Sequence, residues 1–195
     1  MPATAPPVSK PTPLRFTVSD YHRMAEAGVL GADRHIELID GHLYAMSPTG
    51  SQHAACVRRL NRFFSRSISP ERALISIQNP VVLPPDSEPE PDVVLLKPRG
   101  DDYAAHHPRA TDVLLVVEVA DSSLTFDQEV KVPMYAHAGI PQVWVVALDE
   151  DCVHTYRDPD GGAYMSQHTY THEETLSLSN SVDAPPLPVA AILGA

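Results

Sequence analysis

Apolar residues along the chain fall into short runs, some with helical spacing and some with strand spacing. The stretch Thr17-Val18-Ser19-Asp20 offers side-chain oxygens for a helix start; Tyr21, Met24 and Ala25 supply a stripe, and Gly28 a stop. A short helix is predicted there. Ile36 to Tyr44 reads as two strands around Asp40-Gly41, a pair that tolerates positive φ and favours a tight hairpin. Between Gly50 and Ile68 the residues Cys56, Leu60, Phe63, Phe64 and Ile68 recur at helical spacing, while Arg58, Arg62 and Arg66 share a different face. Strands are predicted over 73–83, 92–97 and 112–119, the last two nearly continuous apolar runs of the kind found in sheets covered on both sides. A helix over 126–138 follows, with Pro133 near its first turn or at a kink and Gly139 ending it. Gln142 to Leu148 is another buried strand. Cys152 to Tyr156 and Ala163 to Tyr170 form a hairpin around Asp158-Pro159-Asp160-Gly161-Gly162, and a proline-rich tail from Val182 to Ala195 returns to the core.

This order predicts an α/β fold with a central mixed β-sheet flanked by helices, a helix and hairpin added before it and a β-hairpin after it. Five prolines among residues 1–13 predict a flexible arm, leaving 14–195 as a single domain. With 195 residues, the chain is long enough to bury roughly 70% of its unfolded surface.

Charge narrows the partners. The net charge of -11 excludes coating nucleic acid or an anionic membrane by bulk electrostatics, so any phosphate contact is local. Cys56 and Cys152 are too few for a thiolate zinc cage or a disulfide framework, which suits a reducing cytoplasm. No stretch resembles a signal peptide or approaches the ~20 apolar residues of a membrane span.

Candidate chemistry lies in the acids. Glu88, Glu90 and Asp92 alternate with prolines, so their carboxylates tend to face one side, and Asp92 opens the strand that follows. Glu118 interrupts the apolar run Val113 to Val119, where desolvation disfavours an ionised carboxylate. If those two strands are neighbours, Asp92 and Glu118 approach, and two carboxylates about 4 Å apart repel by roughly 4 kcal/mol at an effective dielectric near 20. A divalent cation relieves that repulsion; oxygen ligands favour Mg²⁺ or Mn²⁺, which suit phosphate-ester chemistry. Asp127, Lys131 and Tyr135 follow at i, i+4, i+8, so Lys131 can orient or deprotonate a water if that helix covers Glu118.

A spaced set of residues ties these positions together: Glu37-Leu38-Ile39-Asp40-Gly41, Ser47-Pro48 with His53, Pro91-Asp92-Val93, Val117 to Ser122, then Asp127, Lys131, Tyr135 and Gly139 to Trp144. The set resembles the Uma-type putative restriction endonuclease family of the PD-(D/E)XK nuclease superfamily, over about Phe16 to Ile192. The resemblance implies a restriction-endonuclease-like core and a metal-dependent endonuclease acting on nucleic acid, DNA above RNA. It implies Asp92 and Glu118 as metal ligands with the Val119 carbonyl, Glu37 as an additional acid and Lys131 as the catalytic lysine. The superfamily lysine ordinarily stands two residues after the glutamate; Ala120 is there, and Lys131 matches the placement on the following helix. The family habit of pairing, with apolar strands late in the chain, implies a homodimer.

Each signal also has a structural explanation. Glu88 and Glu90 read as solvated loop charges, Asp92 as a residue binding a turn amide, Glu118 with Lys131 as a structural ion pair, and Glu37 as a partner for a hairpin arginine. His53 is a site-edge residue, or else a capping or core histidine. Arg58, Arg62 and Arg66 lie in the acid-free stretch 41–70 and track a phosphate backbone or simply face solvent. His106 and His107 read as surface-loop residues. The alternatives to a nuclease are a non-catalytic module with a nuclease-like fold and a phosphoesterase acting on small nucleotides.

Overall fold

The computed structural model describes residues 12–31, 34–178 and 184–194; residues 1–11 of the predicted arm lie outside them. Helix α1 (Val18–Glu26) starts as its sequence dictates. The Thr17 hydroxyl accepts from the Asp20 amide at 3.1 Å, and the Asp20 carboxylate accepts from the Thr17 amide at 3.0 Å, closing a capping box. Strands β1 (Ile36–Ile39) and β2 (His42–Ala45) pair around Asp40 and Gly41, whose φ values of 46° and 74° match the hairpin expectation.

Helix α2 (Ser51–Ser67) buries Cys56, Val57, Leu60 and Phe64. The sheet is built from β3 (Leu74–Ile77), β4 (Val93–Leu96), β5 (Val113–Ala120), β6 (Gln142–Ala147), β7 (Cys152–Asp160) and β8 (Ala163–Thr171), hydrogen-bonded in that order. Only β5 and β6 run parallel, and the segment between them is helical, as a parallel connection requires. That crossover comprises α3 (Leu124–Phe126), a π-helical turn (Asp127–Lys131) and α4 (Val132–His137). The short strands β9 (Thr175–Leu176) and β10 (Leu187–Pro188) pair, and α5 (Val189–Leu193) seats Val189 and Ile192 against α2.

Period-two alternation divides the core. Val93, Leu95, Leu115, Val117, Trp144 and Val146 face α2 and α5; Val94, Leu96, Val116, Val143 and Val145 face α4 and the β1–β2 hairpin. The mixed α/β architecture expected from sequence is therefore the one observed.

Two boundaries differ. The strand expected over 73–83 stops at Ile77, because Gln78 turns to φ 51° and Asn79-Pro80 follows with no proline N–H to continue a ladder. The turn expected over 158–162 contracts to Gly161-Gly162, at φ 56° and 88°, while β7 continues to Asp160 opposite Ala163.

Candidate active site

The antiparallel register Val93↔Val117 sets Asp92, just before β4, beside Glu118 on β5. Asp92 is locked in place. Its Oδ2 accepts from the Val119 amide at 2.8 Å and lies 2.9 Å from His53 Nε2, while Oδ1 accepts from Gln78 Nε2 at 3.2 Å. The left-handed Gln78 that ends β3 early is thus the residue that reaches back to Asp92. Val119 enters the site through its backbone, and the backbone of Glu118–Val119 continues the rim.

Glu118 points to the α4 face. Tyr135 donates to its Oε1 at 2.6 Å, and Lys131 Nζ lies 3.3 Å from the same oxygen. Lys131 is also 3.1 Å from Glu37 Oε2, an ion pair whose angle is too poor for a hydrogen bond; the hydrogen bond runs to Oε1 at 3.5 Å. Lys131, Glu37 and Glu118 are all buried, with side chains 3%, 2% and 4% exposed. The π-helical turn helps place the lysine. The Val132 amide donates to the Asp127 carbonyl, five residues back, and the widened turn ends where Pro133 offers no N–H.

These side chains line a cavity of about 300 Å³ that also takes in Tyr44, Gly50, Asp121, Ser123 and Phe126. Six acids border it, Glu37, Glu90, Asp92, Glu118, Asp121 and Asp127, against one lysine and the imidazoles of His35 and His53. Gly50, at the start of α2, permits the close approach, since a Cβ there would meet Asp121 Oδ2 at 2.7 Å.

Burial without enough cations shifts protonation. Desolvation pushes the Glu118 carboxyl well above its ordinary range despite Lys131, with Asp127, Asp92 and Glu37 adding to the rise. Burial likewise raises Asp127, against the opposing Lys131 charge and Ser123 hydrogen bond. For Lys131 burial acts downward, but Glu118, Glu37 and Asp127 outweigh it and hold the ammonium charged. The hydrogen bond to Asp92 raises His53.

The donor set fits a hard dication. Among the described residues only two buried side-chain polar atoms lack a hydrogen-bond partner, Glu37 Oε2, which is ion-paired with Lys131, and His53 Nδ1, and both belong to residues lining this cavity. A carboxylate offers about four acceptor positions; Asp92 uses three, and Glu118 Oε2 takes no hydrogen bond among the described residues. The site carboxylates do not gather three ligand atoms within 4.8 Å of one another, so a dication there would be held by fewer than three of them, with backbone and solvent oxygens completing its shell.

A family model described as "Uma2: Putative restriction endonuclease" matches residues 18–190. The chain belongs to the Uma2 family. A family of putative nucleases is thereby its setting. A solved structure, a putative nuclease from Anabaena variabilis, shares the fold with a TM-score of 0.71 at 16% identity, covering 91% of this chain and 97% of that one. No curated protein matches. Among the described residues no helix is long and apolar enough to cross a membrane.

For a Uma2 member, the expected residues Glu37, Asp92, Glu118, Lys131 and His53 come together at one cavity, with Val119 supplying backbone. Arg58, Arg62 and Arg66 do not join them. At 100° per residue they sit on the side of α2 opposite His53, exposed and absent from the cavity wall. The solvated-loop expectation for Glu88 and Glu90 is corrected. Glu88 is 5% exposed, and the three alternating acids each take one histidine: His22 on Glu88 and His35 on Glu90 at 2.7 Å, His53 on Asp92. Gln78 also reaches the site without any local mark in the sequence, and Asp121, marked there only as part of the Val117 to Ser122 run, joins it by position. Asp127 is marked there by its helical spacing to Lys131 and by its place in the spaced set, without a role.

Proposed function

We propose that this Uma2 protein is a Mg²⁺- or Mn²⁺-dependent endonuclease that hydrolyses phosphodiester bonds, with DNA as its nucleic acid. The observation that carries the reading is a cavity bordered by six acids against one lysine, with Asp92 and Glu118 brought to it by neighbouring strands. Asp92 and Glu118 are assigned as ligands, with the Val119 carbonyl, because oxygen donors select a hard ion. A bound dication would supply an activated water and neutralise charge on the phosphate.

The protein groups then have distinct tasks. Lys131, held charged by its carboxylate neighbours, stabilises negative charge on the phosphate and orients water through hydrogen bonds; it is poorly suited to accept a proton. Glu37 fixes the ammonium, His53 and Gln78 fix Asp92, and Tyr135 fixes Glu118. Arg58, Arg62 and Arg66 would meet phosphates only on a polymer that passes around α2. A homodimer through the free edge of β8, whose residues are mostly exposed, belongs to the same proposal and is tested by light scattering.

The second reading, a non-catalytic module, draws on the pairing of Lys131 with Glu37 and Glu118, which neutralises part of the charge without a metal. Plasmid nicking with Mn²⁺ separates the two. The nuclease predicts cleavage that falls at least about 100-fold in Glu118→Ala and Lys131→Ala, and a divalent-ion rise in Tm that Asp92→Asn abolishes. Equal cleavage by parent and variants would remove the assignment.

A further inference from the structure

A second cluster of metal-ligating side chains stands apart from the cavity. Cys152 and His154 are two residues apart on β7, so both side chains leave the same face of the strand. Asp151, at φ 53°, turns the preceding chain so that Glu150 folds back over them. Cys152 Sγ lies 3.5 Å from His154 Nε2 and 3.9 Å from Glu150 Oε2, and His154 Nε2 lies 3.3 Å from Glu150 Oε2. Among the described residues this is the only set of three such ligand atoms lying within 4.8 Å of one another.

Those spacings match the edges of a tetrahedron. With Zn–S about 2.3 Å and Zn–N and Zn–O each about 2.0–2.1 Å, tetrahedral angles require S···N about 3.5 Å, N···O about 3.3 Å and S···O about 3.5 Å. Only the S···O edge is longer, and it ends on the flexible, 54% exposed Glu150. The histidine is oriented from behind. Thr169 Oγ1 lies 2.9 Å from its Nδ1 and, by accepting the Nδ1 proton, would turn the Nε2 lone pair toward a metal between Cys152 and Glu150. Cys152 is 6% exposed, whereas the carboxylate reaches solvent, so a fourth position opens outward.

We propose that Glu150, Cys152 and His154 bind Zn²⁺ with one coordination position left to solvent. A thiolate, an imidazole and a carboxylate form a borderline-soft set that suits zinc and not the hard ion assigned to Asp92 and Glu118. The register Glu118↔Val145↔His154 places this site two strands across the sheet from Glu118, separated by β6. Two strand spacings are about 10 Å, so the two ions would occupy independent sites.

The test uses the full chain, thiols reduced and metal removed, titrated with Co²⁺. One equivalent is expected to give a thiolate-to-cobalt charge-transfer band in the near ultraviolet with the visible bands of a tetrahedral ion, and Zn²⁺ is expected to bleach both. Cys152→Ser should abolish the near-ultraviolet band, and Glu150→Gln, on an exposed side chain that leaves folding intact, should weaken Zn²⁺ binding. Thr169→Val should weaken it about tenfold. Asp92→Asn should leave the band unchanged, which separates this site from the cavity. No charge-transfer band in the parent protein, or one that survives Cys152→Ser, would overturn the proposal.

Discussion

Replacing Lys131 with methionine keeps the bulk of a buried side chain and deletes its charge. The ammonium lies 3.1 Å from Glu37 and 3.3 Å from Glu118 with only 3% of its side chain exposed, and removing one partner of such a pair costs about 3–5 kcal/mol. The cost depends on pH. In the parent, the raised Glu118 holds a proton in the folded state that the unfolded chain has released, so its contribution to stability is full below the unfolded carboxyl pKa and is lost as pH rises toward the folded one. Without Lys131, Asp127, whose carboxyl burial already raises, loses its counter-charge as well, and more protons are held on folding. Each additional proton steepens the fall by about 1.4 kcal/mol per pH unit. The Lys131 ammonium itself stays charged throughout this range in the parent, since its pKa is raised. Lys131→Met is therefore expected to lie closest to the parent near pH 5 and furthest below it near pH 8. Urea unfolding at both pH values, followed by the fluorescence of the single, fully buried Trp144, measures the gap. A gap of equal size at the two pH values, or no gap at pH 8, would refute the electrostatic account of this site.

Phe64→Ala removes a fully buried ring that packs on Trp144 at 6.2 Å between centroids, and should cost about 3–5 kcal/mol in chemical denaturation. Gly41→Ala should destabilise the hairpin by about 1–3 kcal/mol, because φ is 74° and the new Cβ would meet Arg15 Cβ at 2.6 Å; thermal unfolding reads the loss. If a duplex passes around α2, replacing Arg58, Arg62 and Arg66 by alanine should flatten the dependence of log affinity on log salt by about 0.9 for each phosphate left without its arginine. An unchanged slope in filter binding would take α2 out of the interface.

Local chemistry along the chain was enough to determine the Thr17 helix start, the Asp40-Gly41 hairpin, the buried face of α2 and the nearly continuous apolar strands of a mixed sheet. Each depends on sterics and hydrogen bonds within a few residues, which composition and spacing express directly. The suspicion attached to Glu118 was legible for the same reason, since an acid inside an apolar strand has no local means of staying charged. Tertiary structure alone decided the partners. Glu37 and Lys131 stand 94 residues apart, and no local rule pairs them rather than Glu37 with an arginine. The histidines that meet Glu88, Glu90 and Asp92 come from three separate segments, brought together only when α1, the approach to β1 and α2 pack around the acid ladder. The outward position of Arg58, Arg62 and Arg66 follows from which side of α2 the sheet buries. The meeting of Glu150, Cys152 and His154 is local by contrast, set by the alternation of β7 and the left-handed turn at Asp151. Spacing in sequence states which side chains share a face; the long-range closure of the chain states what that face meets, and the charge of a buried group is set by that meeting.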